Sequence, residues 1–197
     1  METNNKRKTI AIDMDGVIAD VESQLVKFYK DIYGITTSVD AIQGLSGAEA
    51  FPEDRIARKM VNAPGFFRNL AVMPGAVEAV AKLMETYEVY IVSAATEFPL
   101  SLYEKHEWLK EHFPYIDWRH LVLCGDKSII NTDYMIDDHT KNLDTFIGKP
   151  IMFHAHHNTL QSQYDRVHNW SEVLDYFEKE AQSEQAQNQA SRKAIAG

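Results

Sequence analysis

The chain has 197 residues, 45% hydrophobic and 25% charged, with a formal net charge of −9. These values fit a soluble globular protein of one domain, or one core with an insertion, and exclude broad electrostatic binding to polymeric nucleic acid. No run approaches the roughly 20 apolar residues that span a bilayer, and a single cysteine, Cys124, leaves no internal disulfide and fits a reducing compartment. The opening Met1–Lys8 is too polar for a secretory signal, so a cytoplasmic location is expected.

In chain order, the apolar run Thr9–Ile12 ends in Asp13-Met14-Asp15-Gly16 and reads as a buried strand with carboxylates at its carboxyl end. Val21, Leu25, Phe28, Tyr29 and Ile32 recur at helical spacing, and Gly34 is a stop signal. Residues 35–50 read as loop with a short helix. Pro52-Glu53-Asp54 reads as the start of a helix that Asn62-Ala63-Pro64-Gly65 ends. Pro74-Gly75 opens a helix whose expected apolar face is Val77, Val80, Ala81 and Met84.

A second strand is expected at Val89–Val92, ending in Ser93, followed by a helix from Tyr103 to Phe113. Further strands are expected at Leu121–Leu123, Tyr134–Ile136 and Ile151–Phe153, and a last helix from Ser171. Short apolar strands alternating with helices imply an α/β fold: a Rossmann-like, mostly parallel sheet of about five strands with helices on both faces. The expected partition is a core of residues 1–20 and 71–181, a helical cap at 21–70, and a tail at 182–197 that is frayed helix or disorder.

In such a sheet, ligands bind beyond the carboxyl ends of the strands. The residues there are Asp13 and Asp15, Ser93, Lys127 just after the third strand, and Asp137-Asp138 after the fourth. Carboxylates, a lysine and a hydroxyl are what a phosphate and a divalent cation require together. Two acids at an apolar strand end are otherwise expensive to hold.

Asp-x-Asp-Gly, a strand-end Ser, a Lys and an Asp-Asp pair, in this order, resemble the haloacid dehalogenase superfamily. Within it the chain is similar to the 5'(3')-deoxyribonucleotidases. The likeness rests on Asp13–Asp20, on Gly65-Phe66-Phe67 followed by Met73–Val80, and on Tyr103-Glu104-Lys105. Asp126-Lys127-Ser128, Ile136-Asp137-Asp138 and Phe153 with His157-Asn158 extend it over roughly residues 9–160.

The resemblance implies a Mg²⁺-dependent phosphomonoesterase acting on deoxyribonucleoside monophosphates. Asp13 would be the nucleophile and Asp15 the general acid and base. Mg²⁺ would be held by Asp13, the Asp15 carbonyl and the Asp-Asp pair, with Asp138 favoured as direct ligand and Asp137 orienting it. Ser93, the Ala94 N–H, Lys105 and Lys127 would contact phosphate, and Phe66 would stack on the base. The family often carries a second hydroxyl or a proline at 94, where this chain has Ala94-Ala95-Thr96, so Thr96 is the candidate replacement. Val21 stands where relatives often have an aromatic residue, which implies weak discrimination among bases. A homodimer is an open alternative to a monomer.

Other features carry less. His154, His156 and His157 follow the fifth strand without a nearby Cys or Glu, and read as loop histidines. Cys124 reads as a small buried residue, and Trp108 and Trp118 as packing. The rival functions are a phosphatase of the same superfamily for another small ester, such as a sugar phosphate, and a binding module without turnover.

Overall fold

The computed structural model describes residues 7–52 and 55–196. Its strands are β1 (Thr9–Asp13), β2 (Ala19–Asp20), β3 (Ala71–Val72), β4 (Glu88–Ser93), β5 (Leu121–Leu123), β6 (Tyr134–Asp137), β7 (Lys149–Phe153) and β8 (Asp165–Val167). The α-helices are α1 (Val21–Tyr33), α2 (Gly47–Ala50), α3 (Ile56–Val61), α4 (Ala76–Met84), α5 (Pro99–His112), α6 (Thr140–Leu143) and α7 (Trp170–Ala196). Glu53 and Asp54, expected in a first helical turn, lie outside the described residues.

Six strands form one parallel sheet in the order β5-β4-β1-β6-β7-β8. Sequence periodicity missed β8. Asp165-Arg166-Val167 is a polar edge strand paired only with β7, so it lacks the apolar run that marks the central strands.

Alternation along the central strands divides the core into two layers. Ile10, Ile12, Ile91, Ile136 and Phe153 point into the larger cluster, with Val80 and Leu83 of α4 and Trp170, Val173 and Phe177 of α7. Ala11, Val92, Met135 and Met152 point the other way, onto Leu143 of α6 and Phe146. The buried stripe of α4 is Ala76, Ala79, Val80 and Leu83, while Ala81 is exposed. The expected spacing is right but the buried face is centred one residue earlier, with Val77 and Met84 partly buried at its margin.

The helices α1–α3 lie between two chain crossings. The chain leaves along β2 and returns along β3, and the two pair antiparallel, Ala19 with Val72 and Asp20 with Ala71. Asp20 also caps α1, accepting from the Ser23 N–H at 2.9 Å, and Gly34 ends that helix in the left-handed conformation. The expected loop at 35–50 holds a short 3₁₀ turn, Asp40–Ile42, and one short α-helix, α2, opened by a capping box between Ser46 and Glu49.

At the far end, α7 runs from Trp170 to Ala196, past the boundary expected at 182. Its Glu184 accepts from the Tyr134 hydroxyl at 3.1 Å and pairs with Lys8, which ties that turn to the sheet.

The amino end of β1 is pinned to β6 by Asp133. Its Oδ2 accepts from the Thr9 N–H at 2.7 Å and the Thr9 hydroxyl at 2.8 Å. Partial burial opposes its charge, yet these bonds hold its carboxyl below the usual carboxylate value. A group depressed in this way stabilises the fold above its unfolded pKa of 3.8, and the contribution is lost as pH falls through the lower folded value. Asp133→Ala is expected to lower stability by about 1 kcal/mol at pH 7, with a smaller gap at pH 3 in urea unfolding. A gap that widens on acidification would contradict this role.

Candidate active site

β1 is the strand at which the sheet order reverses: the chain runs from β1 outward to β4 and β5, then returns to β6 on the other side. A crevice opens at such a point beyond the carboxyl ends. Ile12 pairs with both Ile91 and Ile136, so Asp13 and Asp137 end neighbouring strands at the same level, with Ser93 one residue further along β4.

Between Asp13 and β2 the chain makes a tight loop. The carbonyl of Met14 accepts from the Ile18 N–H at 3.0 Å and the Ala19 N–H at 2.9 Å, and Gly16 at φ +74° permits the reversal. Gly16 serves a second purpose. A Cβ there would lie 2.5 Å from Oδ2 of Asp138, so glycine lets the loop close over that carboxylate.

Lys127 holds the centre. Its Nζ lies 2.7 Å from Oδ1 of Asp13 and 2.6 Å from Oδ2 of Asp137, and it is 3% exposed. Burial disfavours its charge, but the two carboxylates outweigh burial and raise its pKa. For Asp13 the balance goes the other way. Desolvation and the neighbouring Asp137 and Asp15 exceed the pull of Lys127 and push its carboxyl up to about 7. Asp138 is raised too, by burial and by Asp13 and Asp137.

The Asp-Asp pair divides its work. Both oxygens of Asp137 are occupied, by Lys127, by the His139 N–H at 2.9 Å and by the Asn142 side chain at 3.0 Å. Asp138 instead has a buried oxygen, Oδ1, with no hydrogen-bond partner, and Oδ1 of Asp15 is likewise buried and unpartnered. Carboxylate oxygens of Asp13, Asp137 and Asp138 lie within 4.8 Å of one another. Four carboxylates here (Asp13, Asp15, Asp137 and Asp138) face two ammoniums, those of Lys105 and Lys127, so with all four ionised two negative charges are in excess, and the raised carboxyls of Asp13 and Asp138 reflect burial and that crowding. A hard divalent cation fits both the oxygen donors and that excess.

A second lysine serves Asp15. Lys105, 1% exposed on α5, pairs with Oδ2 of Asp15 and donates to the Ser93 hydroxyl at 2.9 Å. Ser93 is fully buried, and Ala94, the next residue, is half-buried. Thr96 does not replace a hydroxyl there. Its Oγ1 donates to the Cys124 carbonyl at 3.1 Å and is committed to packing the loop after β5.

The expectation for Phe66 is corrected. Its ring is 0% exposed, packed edge-on against Phe28 at 5.1 Å and Phe67 at 5.0 Å, and offers no open face for stacking. Phe67 is the aromatic residue nearer the centre, with Nζ of Lys105 4.4 Å from its ring centroid.

Sequence reasoning gave no role to Glu104. Its carboxylate accepts from three main-chain N–H groups, Gly65 at 2.6 Å, Phe67 at 3.0 Å and Arg68 at 3.0 Å. Adjacent residues of α5 thus fix the returning chain and touch Asp15. Asn142 was also missed, as was the support from Asn158, whose side chain donates to the Asp138 carbonyl at 2.8 Å. An amide in the first turn after an Asp-Asp pair is a signal that could have found Asn142. Nothing in the sequence links Glu104 to a loop 36–39 residues away.

The chain matches the protein family described as "5' nucleotidase, deoxy (Pyrimidine), cytosolic type C protein" over residues 7–182. It belongs to that family. The 5'(3')-deoxyribonucleotidase of Bacillus subtilis is 40% identical over 176 residues, covering 85% of this chain and 96% of the relative. A Staphylococcus epidermidis protein, whose name gives the same activity provisionally, is 43% identical over 172 residues, covering 87% of this chain and 96% of its own.

Among solved structures, a haloacid dehalogenase-family hydrolase from Deinococcus radiodurans with bound phosphate and sodium has a TM-score of 0.58 at 12% identity, covering 86% of this chain and 94% of that one. One from Ehrlichia chaffeensis has a TM-score of 0.51 at 14% identity, covering 87% and 96%. The fold of this nucleotidase-family member is therefore haloacid dehalogenase-like, and the chain is an enzyme of the phosphoric monoester hydrolase class. No described helix is long and apolar enough to cross a membrane.

Because Phe66 is packing, Phe66→Ala is expected to lower unfolding free energy by about 3–5 kcal/mol. Urea denaturation checks this. A loss below about 1 kcal/mol with weaker nucleotide binding would return the ring to a substrate role.

Proposed function

We propose that this family member hydrolyses deoxyribonucleoside monophosphates to deoxynucleoside and phosphate through an aspartyl-phosphate on Asp13. The observation that carries the reading is the unequal treatment of two acids one residue apart. Asp13 is gripped by Lys127 at the strand end, and Asp15 is gripped by Lys105 of α5. A binding site needs no such division of labour, whereas a two-step displacement does.

In the first step an oxygen of Asp13 attacks phosphorus, and the bond from phosphorus to the alcohol oxygen breaks. Asp15, having taken up a proton from solvent once Lys105 leaves it, gives that proton to the alcohol oxygen. In the second step Asp15 takes a proton from water, water attacks phosphorus, and the bond to Asp13 breaks. Lys105, paired with Asp15 in the free protein, is drawn off by the incoming phosphate oxygens, so substrate binding releases Asp15 for proton transfer. Lys127 offsets the charge that gathers on the phosphoryl group, and the Ser93 hydroxyl and Ala94 N–H orient its oxygens.

Asp13, the Asp15 carbonyl and Asp138 would hold Mg²⁺, with Asp137 orienting Lys127 and the loop; the ion supplies charge neutralisation to the phosphate. The cap is the segment 21–70, which lies over the leaving-group side in this reading. Support for the nucleotide comes from the Bacillus subtilis relative, whose name states that activity.

A phosphate-release panel with and without Mg²⁺ tests the reading. Deoxyribonucleoside 5'-monophosphates such as dUMP and dTMP are expected to be cleaved, with modest preference over purine counterparts. Preference for a sugar phosphate, or no turnover at all, would overturn it. Asp13→Asn is expected to abolish turnover while keeping the fold by circular dichroism. A tenth of wild-type activity, equal to only about 1.4 kcal/mol of barrier, would remove Asp13 from the nucleophile's role. Lys127→Met is expected to lower kcat more than it raises KM, and an effect on KM alone would make Lys127 a general anion attractor.

A further inference from the structure

The histidines after β7 lack an acidic neighbour in sequence, but the fold supplies one. Glu22, in the first turn of α1, reaches across to this loop from 134 residues away. Its Oε1 accepts from the His156 N–H at 2.6 Å and lies 2.7 Å from Nδ1 of the same residue. The His157 ring stands edge-on to His156 at 5.1 Å and stacks on His139 at 4.2 Å. A carboxylate oxygen of Glu22 and one nitrogen from each of His156 and His157 lie within 4.8 Å of one another.

We propose that Glu22, His156 and His157 form a second cation site, selective for a transition metal of the Zn²⁺ class, beside the all-oxygen carboxylate centre. Two imidazoles and one carboxylate are the donor set that such ions prefer, with a remaining position for water. Mg²⁺ favours an octahedron of oxygens, so the two centres sort metals by chemistry rather than competing for one ion. Bonds of about 2.0 Å to a tetrahedral ion set ligand atoms about 3.3 Å apart. Side-chain adjustment of an ångström or so brings this triad to that spacing.

Three chain segments meet at the site. Glu22 begins α1, the Gly44 N–H donates to the His156 carbonyl at 2.6 Å, and His157 Nε2 lies 3.2 Å from the Asp138 carbonyl. A metal here would clamp the helical segment to the sheet and touch the loop that carries Asp138. It would therefore stabilise the folded chain in proportion to its occupancy. A second arrangement shares one ligand: Asp138, His139 and His157 also place donor atoms within 4.8 Å of one another. Substitutions at Glu22 and His139 tell the two apart.

The test uses the full chain without an affinity tag, stripped by chelator and held in excess Mg²⁺. Co²⁺, a spectroscopic stand-in for Zn²⁺, is expected to bind at one equivalent with visible d–d absorption of a nitrogen-ligated, low-coordinate ion, and Zn²⁺ is expected to bleach it. Glu22→Gln and His156→Ala are each expected to weaken Co²⁺ binding at least tenfold, whereas His139→Gln leaves it within twofold. Far-UV circular dichroism establishes that each variant folds; should His156→Ala not fold, Glu22→Gln decides. Wild type without the d–d band overturns the proposal, because that reading needs no variant. Loss with His139→Gln but not with Glu22→Gln also overturns it, by moving the ion to the other triad. None of these readouts depends on phosphate release, so the proposal can fail while the nucleotidase reading stands, and the reverse.

Discussion

Lys127 bridges the ends of two adjacent strands, with an aspartate of β1 on one side of its ammonium and an aspartate of β6 on the other. Without that cation, Asp13 and Asp137 would meet as like charges on a buried sheet edge, in surroundings that already push Asp13 up to about 7. Most of the site follows from this contact. Asp137 is held by Lys127 and Asn142 and has no oxygen to spare, so Asp138 is the member of the pair left open. Gly16 must then be glycine, because the β1 loop closes directly over Asp138. The arrangement stays electrostatically incomplete, and the incompleteness is local. Oδ1 of Asp138 is buried without a partner, in a cluster where oxygens of Asp13, Asp137 and Asp138 lie within 4.8 Å of one another.

Much of this was legible in the sequence because it depends on strand ends. An apolar run that stops at a charged residue marks both the strand and the place where its carboxyl end opens. Asp13 and Asp137 were found by that signal and Ser93 by its uncharged counterpart, and the parallel sheet brings Asp13 and Asp137 level with Ser93 one residue further along β4. What the sequence withheld depends on pairings between distant segments. Glu104 grips a loop 36–39 residues earlier, and Glu22 meets His156 across 134 residues. Neither lies at a position whose local pattern is unusual. Phe66 and Phe67 show the same limit from the other side: adjacent identical residues share one composition signal, yet one ring packs on Phe28 and the other beside Lys105. Edge strand β8 escaped because an edge strand need not be apolar.

The helix α5 couples two parts of the molecule through consecutive side chains. Successive helical residues project about 100° apart, so Glu104 and Lys105 address different walls from one turn of backbone. One gathers three amide N–H groups of the chain returning from the helical segment; the other meets Asp15 and Ser93. The position of the aromatic ring at 67 and the charge beside Asp15 are thus set by one rigid element. A shift of α5 would move both together.

The paired strands β2 and β3 carry a different consequence. They place the departure and the return of the inserted helices side by side, at Asp20 and Ala71. From the sheet's standpoint the whole insertion is a single long hairpin loop, and its entry and exit stay a strand's spacing apart whatever lies between. Loop-closure entropy grows only slowly with length, so such a junction accepts inserts of very different size at little thermodynamic expense. The core can therefore keep its geometry unchanged while the inserted segment is lengthened, shortened or replaced, which makes this doorway the place where the fold best tolerates change.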